Sequence, residues 1–114
     1  MAVIDSNVLL RAMDELLDSE ESYTNQYRAF AWWRECRPTS MFATRWSLQG
    51  ALEKAASLFS GTQQDFVYAR AGARTHMRVA YLFYGFRGNY EEFWQNTDFA
   101  TAKKVLQKAV QIAR

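Results

Sequence analysis

The sequence contains few of the residues that form covalent links or bind metals. Its 114 residues include one cysteine, Cys36, one histidine, His76, and one proline, Pro38. A single cysteine rules out an intramolecular disulfide framework and fits a reducing compartment. One Cys and one His also leave a structural zinc site of the usual composition without its ligands. We therefore expect neither a structural metal nor a cofactor.

Long apolar segments are also missing. No apolar run approaches the roughly 20 residues needed to cross a bilayer. Residues 1–5 are too few and too acidic to form a signal peptide. The sequence therefore predicts a cytoplasmic protein with no membrane-spanning segment.

The residues that are present favour one globular domain. Hydrophobic residues make up 49% of the chain, including four Trp, six Tyr and eight Phe. A chain of this length buries roughly two thirds of its unfolded surface, which is enough for one core. We expect residues 1–114 to form a single domain.

The pattern of apolar residues predicts helices throughout, because neither strand alternation nor a hairpin-turn dipeptide is present. Six segments are predicted: a helix from Ser6, a helix from about Glu20 to Cys36, a helix from after Ser40 to about Phe59, a helix from Thr62 to about Tyr84, a single turn over 90–95, and a last helix from Asp98 or Thr101. The predicted fold class is therefore all-α, a compact bundle of four to six helices.

Several residues are predicted to end or pack these helices. Pro38 ends the second segment, because the residue before a proline avoids helical angles. Gly61 and Gly85 are expected to end the third and fourth helices. The Gly50-Ala51 pair in the third helix suggests a close approach to the fourth, which would offset the cost of a mid-helix glycine. Met41 is expected on the buried face of the third helix.

Three stretches resemble a family of small bacterial and bacteriophage proteins of unknown function. The first is the amphipathic segment 8–17, followed by Tyr23-Thr24. The second is Thr44-Arg45-Trp46-Ser47 with Gly50-Ala51-Leu52, which is similar to the family's Thr-Arg-Trp-Cys-x-x-Gly-Ala-Leu. The third is Trp94-Gln95-Asn96, with Thr101 and Val105 beyond it.

Two positions depart from the family pattern. Ser47 stands where a Cys is usual, and Gln95-Asn96 replaces Asn-Asp. Any chemistry carried by that Cys or Asp in relatives would be missing here. The resemblance implies a compact helical domain and a phage or mobile-element setting, but it implies no reaction.

The charges are unevenly distributed along the chain. Residues 1–25 carry six acidic side chains and one arginine, whereas residues 26–88 carry nine basic and three acidic ones. One interpretation is an acidic helix lying against a basic one. The other is two patches that face different partners. The candidate acidic face comprises Asp14, Glu15, Asp18 and Glu21.

A row of arginines is the strongest candidate for a binding site. Arg70, Arg74 and Arg78 recur every fourth residue of the predicted fourth helix, and Arg87 follows in a loop. Like charges at this spacing repel, so the row requires an anionic neighbour. That neighbour is the chain's own acidic first helix, an acidic protein surface or a nucleic acid backbone.

The excess of aromatic residues suggests an interface. Trp and Tyr, like Arg, dominate protein interfaces. Trp32 and Trp33 are adjacent, and on a helix they cannot both point inward. Tyr81 lies beside the arginine row. We take Trp32, Trp33 and Tyr81 as interface candidates for a protein partner or a homodimer; the alternative is that a second helix covers them.

The remaining motifs offer little support for catalysis. Cys36 and His76 are the one available thiol–imidazole pair, but nothing in the spacing supplies an oxyanion site. The paired carboxylates are sequence neighbours, which do not face each other on a helix. We therefore predict that the protein is not an enzyme.

We expect a protein-binding module, such as a phage or mobile-element accessory protein that inhibits a host protein (an anti-CRISPR type, for example). The alternative is a nucleic-acid-binding accessory or regulatory protein that uses the arginine-rich helix face.

Overall fold

A computed structural model describes residues 4–24, 29–31, 34–36, 39, 41, 43–86 and 90–113. Within these ranges the chain forms five α-helices, one short 3-10 helix over Glu20–Ser22 and one two-stranded hairpin. The elements are α1 (Ser6–Leu16), β1 (Ala29–Ala31), β2 (Arg34–Cys36), α2 (Leu48–Ser57), α3 (Gln63–Phe83), α4 (Tyr90–Asn96) and α5 (Phe99–Ile112). The prediction of an all-α bundle is confirmed, with the hairpin as a small addition.

The core lies between α1, α2, α3 and α5. The longest helix, α3, packs mainly on α5 and α1, while α2 packs mainly on α1. The side chains of Leu9, Met13, Leu52, Met77 and Leu106 are almost completely buried. Burial of such a side chain contributes about 1.5–3 kcal/mol, so apolar packing is the main stabilising term. No helix in the described part of the chain is long and apolar enough to span a membrane.

The starts of α1, α3 and α5 lie close to the predicted positions. The carboxylate of Asp5 accepts a hydrogen bond from the Val8 amide at 2.8 Å, so Asp5 rather than Ser6 caps α1. Thr62 and Asp65 form a reciprocal capping box, so α3 begins where the sequence predicts. Asp98 caps α5. Gly85 follows α3 with a φ of 75°, the left-handed conformation expected of a glycine that ends a helix.

The predicted second helix, from Glu20 to Cys36, is wrong. The chain leaves the 3-10 helix in an extended conformation, and Tyr23 pairs with Trp46 in a parallel bridge. β1 and β2 then pair antiparallel, with Ala29 opposite Cys36. The physical reason is that aromatic residues are weaker helix formers than Ala or Leu and are enriched in strands.

The third predicted helix begins later than expected. α2 starts at Leu48, where the Ser47 hydroxyl accepts a hydrogen bond from the Gly50 amide at 3.1 Å. Met41 therefore precedes the helix and is 83% exposed, not buried on its face. Gly50 and Ala51 are buried, but the main neighbour of α2 is α1 and not the long α3.

Gly61 does not end the third helix as predicted. α2 ends at Leu58 in a right-handed conformation. Gly61 instead leaves space for the residue ahead of α1, because a Cβ there would lie 3.0 Å from Cγ2 of Ile4.

Candidate functional site

The three arginines of the predicted row lie on α3 at successive turns, and each guanidinium lies over an aromatic ring. The Cζ atom of Arg70 is 5.7 Å from the ring centroid of Phe66. The corresponding distances are 4.9 Å from Arg74 to Trp94 and 6.0 Å from Arg78 to Tyr90. Attraction between a cation and a ring face holds a guanidinium in place while its N–H groups remain available.

The middle arginine, Arg74, is half-buried and is held by contacts within the fold. It donates one hydrogen bond to Oε1 of Gln49 at 3.2 Å and forms an ion pair with Glu91 at 3.2 Å. Glu91 lies on α4, so the acidic first helix is not the neighbour that balances this charge. The possible pairing of the row with α1 is therefore wrong for Arg74.

Two further hydrogen bonds hold α4 in place, one to α3 and one to α2. The Tyr90 hydroxyl donates to the backbone oxygen of Arg74 at 3.2 Å. Burial raises the pKa of Tyr90 well above its usual value. The Trp94 indole donates to Oε1 of Gln49 at 2.6 Å. Gln49, Tyr90, Glu91 and Trp94 thus complete a site that the sequence analysis assigned to the arginines alone.

The outer two arginines are exposed. Among the residues that the structure describes, no carboxylate lies within ion-pair distance of Arg70 or Arg78. The row is therefore split into one arginine with a structural role and two that are available to a partner. Arg87 lies outside the described residues.

The predicted acidic face is also divided. Lys103 of α5 forms an ion pair with the Asp14 carboxylate and donates to the Asp14 backbone oxygen at 2.7 Å. Glu15, Asp18 and Glu21 are exposed. The acidic first helix thus pairs with α5 rather than with the arginine row, and Asp14 is not free to bind a partner.

Of the three aromatic residues predicted to form an interface, the structure describes one, Tyr81, and it is buried. Tyr81 is only 7% exposed and packs with Phe86, Tyr90 and Phe93, so its prediction as an interface residue is wrong. The reason is that α4 covers this side of α3. Trp32 and Trp33 lie outside the described residues.

The outer face of α3 carries an apolar stripe that the sequence analysis missed. Its large side chains are between 46% and 66% exposed. They are Val67, Tyr68, Val79, Leu82 and Phe83. Exposed Ala71 and Thr75 lie between the two ends of the stripe. The signal was present as a second apolar periodicity on α3, but only the burial of the opposite face shows that this one is uncovered.

An open groove lies beside Arg70, between α2 and α3. Its volume is about 580 Å³. Phe59 and Phe66 line it together with Ala56, and Glu53 and Arg70 supply its charged groups. The groove therefore extends the environment of Arg70 rather than forming a separate site.

Groups suited to catalysis or metal binding are not brought together in the described ranges. No three His, Cys, Asp or Glu side chains there are placed to hold a metal ion. Cys36 is a half-buried free thiol on β2, and His76 is half-buried on α3. No hydrogen bond joins these two side chains.

Comparisons with known proteins identify no relative. No protein-family model matches the chain, and no significant match is found among curated proteins or solved structures. The resemblance to the phage and bacterial family therefore stays a prediction.

Proposed function

We propose that the chain is a non-catalytic protein-binding module that docks on an acidic partner protein through α3. The observation that carries this proposal is the outer face of α3, where five large apolar side chains are exposed beside Arg70 and Arg78. Exposed apolar patches rimmed by charge are typical of protein interfaces.

The setting we propose is the cytoplasm of a bacterial host cell. There the module acts as a phage or mobile-element accessory protein that occludes a surface of a host protein. Support for this setting comes from the resemblance in the 44–52 segment. Small size and an exposed docking surface suit an inhibitor of a host-defence complex of the anti-CRISPR type.

A nucleic acid partner fits the surface less well. Glu91 and Gln49 already engage the central arginine, so two of the three arginines on α3 stay exposed, with apolar residues beside them. A protein usually binds a phosphate backbone through several cations, and this binding releases several of the counterions condensed on the nucleic acid. A gel-shift titration over a salt series tests this alternative, and it predicts a steep loss of binding with salt.

Capture from a bacterial lysate tests the proposed function. The wild-type chain should retain a stoichiometric protein partner, whereas Arg70→Glu/Arg78→Glu should not. Arg11→Glu, an exposed charge reversal on α1, is the matched control. If the wild-type chain retains no protein, or retains nucleic acid instead, the proposed function is wrong.

A further inference from the structure

We propose that the partner docks on α3 as an amphipathic α-helix whose edge is acidic. This inference rests on the proposed function and adds the form and the chemistry of the docking segment. The starting observation is that α3 carries an apolar row and an arginine row, which run parallel to each other. Val67, Ala71 and Thr75 each precede one of the three arginines by three residues, and residues three apart are neighbours on a helix surface. The apolar row and the arginine row therefore lie side by side.

The shape of the apolar row suits a helix. α3 runs without interruption over Gln63–Phe83. At 1.5 Å per residue, the stretch from Val67 to Leu82 is about 22 Å long, which equals about four turns of an opposing helix. The small residues Ala71 and Thr75 lie midway, between the large side chains at either end. A second helix can approach closely at this midpoint while its own large residues contact the two ends.

At the centre of the apolar row, the one side-chain hydroxyl already has a hydrogen-bond partner within α3. The Thr75 hydroxyl donates to the Ala71 backbone oxygen at 2.8 Å, so Thr75 has no spare donor. A partner helix has no unpaired backbone donors or acceptors along its middle turns. An apolar seam between two helices is therefore compatible with both surfaces, whereas an extended segment would leave its backbone groups unpaired against it.

The charge beside the row determines the chemistry of the partner. Arg70 and Arg78 are eight residues apart, which places them about 12 Å apart along α3. Both lie on the same edge of the apolar row. At the far end of α3, Lys104 and Lys108 lie over the rings of Tyr84 and Phe83, at 4.4 Å and 4.0 Å from the ring centroids. Cations therefore border the apolar row, and acidic side chains two turns apart on a partner helix would face Arg70 and Arg78.

A second copy of the chain fits this surface less well. In an antiparallel pair of α3 helices, the two arginine rows would run along the same edge of the seam. In a parallel pair, each row would border the flank where Lys108 lies over Phe83. Both pairings bring like charges together, and like-charge juxtaposition across an interface disfavours that pairing.

Designed peptides can test the proposed helix. The probe is a 21-residue amphipathic peptide with leucines on one face and glutamates along both edges. A second peptide has lysine in place of each glutamate, and a third has the acidic composition in scrambled order. Fluorescence anisotropy should show that wild-type protein binds the acidic amphipathic peptide at least about tenfold more tightly than either control. A helix pair of this size buries less than a standard interface, so we expect micromolar affinity.

Variants of the protein identify the surface. Arg70→Glu/Arg78→Glu should reverse the preference, so that the lysine peptide binds more tightly than the acidic one. Val79→Ser/Leu82→Ser should weaken binding of the acidic peptide by about tenfold or more. Arg11→Glu should leave both affinities unchanged. All these positions are exposed, and circular dichroism verifies that each variant folds.

Three results would overturn the inference. The first is equal binding of the scrambled and the amphipathic acidic peptides, or no binding of either. The second is an unchanged preference in Arg70→Glu/Arg78→Glu. The third is a wild-type dimer in sedimentation that Val79→Ser/Leu82→Ser dissociates, since the occupant is then a second copy. If lysate capture nevertheless retains a partner whose binding does not depend on Arg70 and Arg78, the helix inference fails while protein binding stands.

Discussion

Gln49 accepts a hydrogen bond from the Trp94 indole at 2.6 Å, and this bond joins α2 to α4 across the edge of the bundle. The same Gln49 oxygen accepts from Arg74 of α3 at 3.2 Å. One side-chain oxygen thus connects three helices. Because Trp94 is only 2% exposed, its N–H group has little access to water if Gln49 is removed.

We therefore expect Gln49→Leu to lower the free energy of unfolding by about 1–3 kcal/mol, the cost of leaving a buried donor unpaired. Urea denaturation measures this loss. Gln49→Glu keeps an acceptor beside Arg74 and should cost less. In a double-mutant cycle with Trp94→Phe, the two changes should be non-additive by more than about 0.5 kcal/mol. Equal losses for the Leu and Glu variants would show that the hydrogen bonds are not the cause.

The arginine row should separate into a stability residue and two binding residues. Arg74→Ala removes the contacts with Gln49, Glu91 and the Trp94 ring, and should cost about 1–2 kcal/mol of stability. Arg78→Ala should change stability by less than about 0.5 kcal/mol, because Arg78 is exposed and lacks an ion pair in the described residues. Thermal unfolding of the two variants compares them directly. Equal effects would contradict the division of the row.

The sequence predicts the helices whose caps and periodicity agree. The Thr62/Asp65 box and Gly85 mark the two ends of α3 at the predicted positions, and Asp98 marks one of the two predicted starts of α5. These signals are local, because each depends on residues within one turn of a helix end.

The extended conformation at Tyr23 and the later start of α2 depend on contacts that are distant in sequence. The Trp46 amide donates to the Ser22 carbonyl, and the Thr24 amide donates to the Trp46 carbonyl. These contacts hold the chain extended on both sides of residues 25–45. Periodicity within one segment carries no information about such pairing, and tertiary contacts override helix propensity. The partners of Arg74 are also distant in sequence: Gln49 is 25 residues away and Glu91 is 17 residues away.

Two glycines should respond to alanine for different reasons. Alanine normally stabilises a helix by about 1 kcal/mol relative to glycine. Gly72 lies within α3, but a Cβ there would be 2.9 Å from Cβ of Ser6. We expect Gly72→Ala to destabilise the fold by about 1–3 kcal/mol through overpacking. In a Ser6→Gly background the clash disappears, so the same change should become stabilising.

Gly85→Ala should destabilise the fold through backbone conformation rather than through the steric clash expected for Gly72→Ala. Apart from its chain neighbours, no atom of the described residues lies within 4 Å of a Cβ at Gly85, but its φ of 75° is unfavourable for alanine. The expected loss is about 1–2 kcal/mol. Ser6→Gly should not change this loss. Chemical denaturation of the four variants measures both effects, and a rescue of Gly85→Ala by Ser6→Gly would contradict the steric explanation for Gly72.

Ser47 should be a stability residue at the start of α2. It is 1% exposed, and its hydroxyl accepts from the Gly50 amide at 3.1 Å. Ser47→Ala removes this cap and should cost about 1–2 kcal/mol. Ser60→Ala, at an exposed serine between α2 and α3, is the matched control and should cost less than about 0.5 kcal/mol. Similar losses in urea denaturation for both variants would exclude a capping role.

Alkaline pH should destabilise the fold through Tyr23. This side chain is buried, and its hydroxyl donates to the Thr97 carbonyl at 2.5 Å. Burial, with a smaller effect from the Asp98 charge, raises the pKa of Tyr23 from 10.0 to about 12. The raised pKa means that the folded state holds the phenol proton more tightly than the unfolded state does.

The stability contributed by this proton is fully present below pH 10 and is lost as the pH rises towards about 12. A difference of two pKa units corresponds to about 3 kcal/mol. Urea denaturation at about pH 8 and about pH 11 should therefore show a clear fall in the free energy of unfolding for the wild-type chain.

Tyr23→Phe should lose about 1 kcal/mol at the lower pH, because the hydrogen bond to Thr97 is gone, but its stability should fall less between the two pH values. Tyr68→Phe, at an exposed tyrosine, should follow the wild-type profile. If Tyr23→Phe and Tyr68→Phe give the same profile, the alkaline loss arises from other groups, such as Tyr90, whose pKa burial also raises.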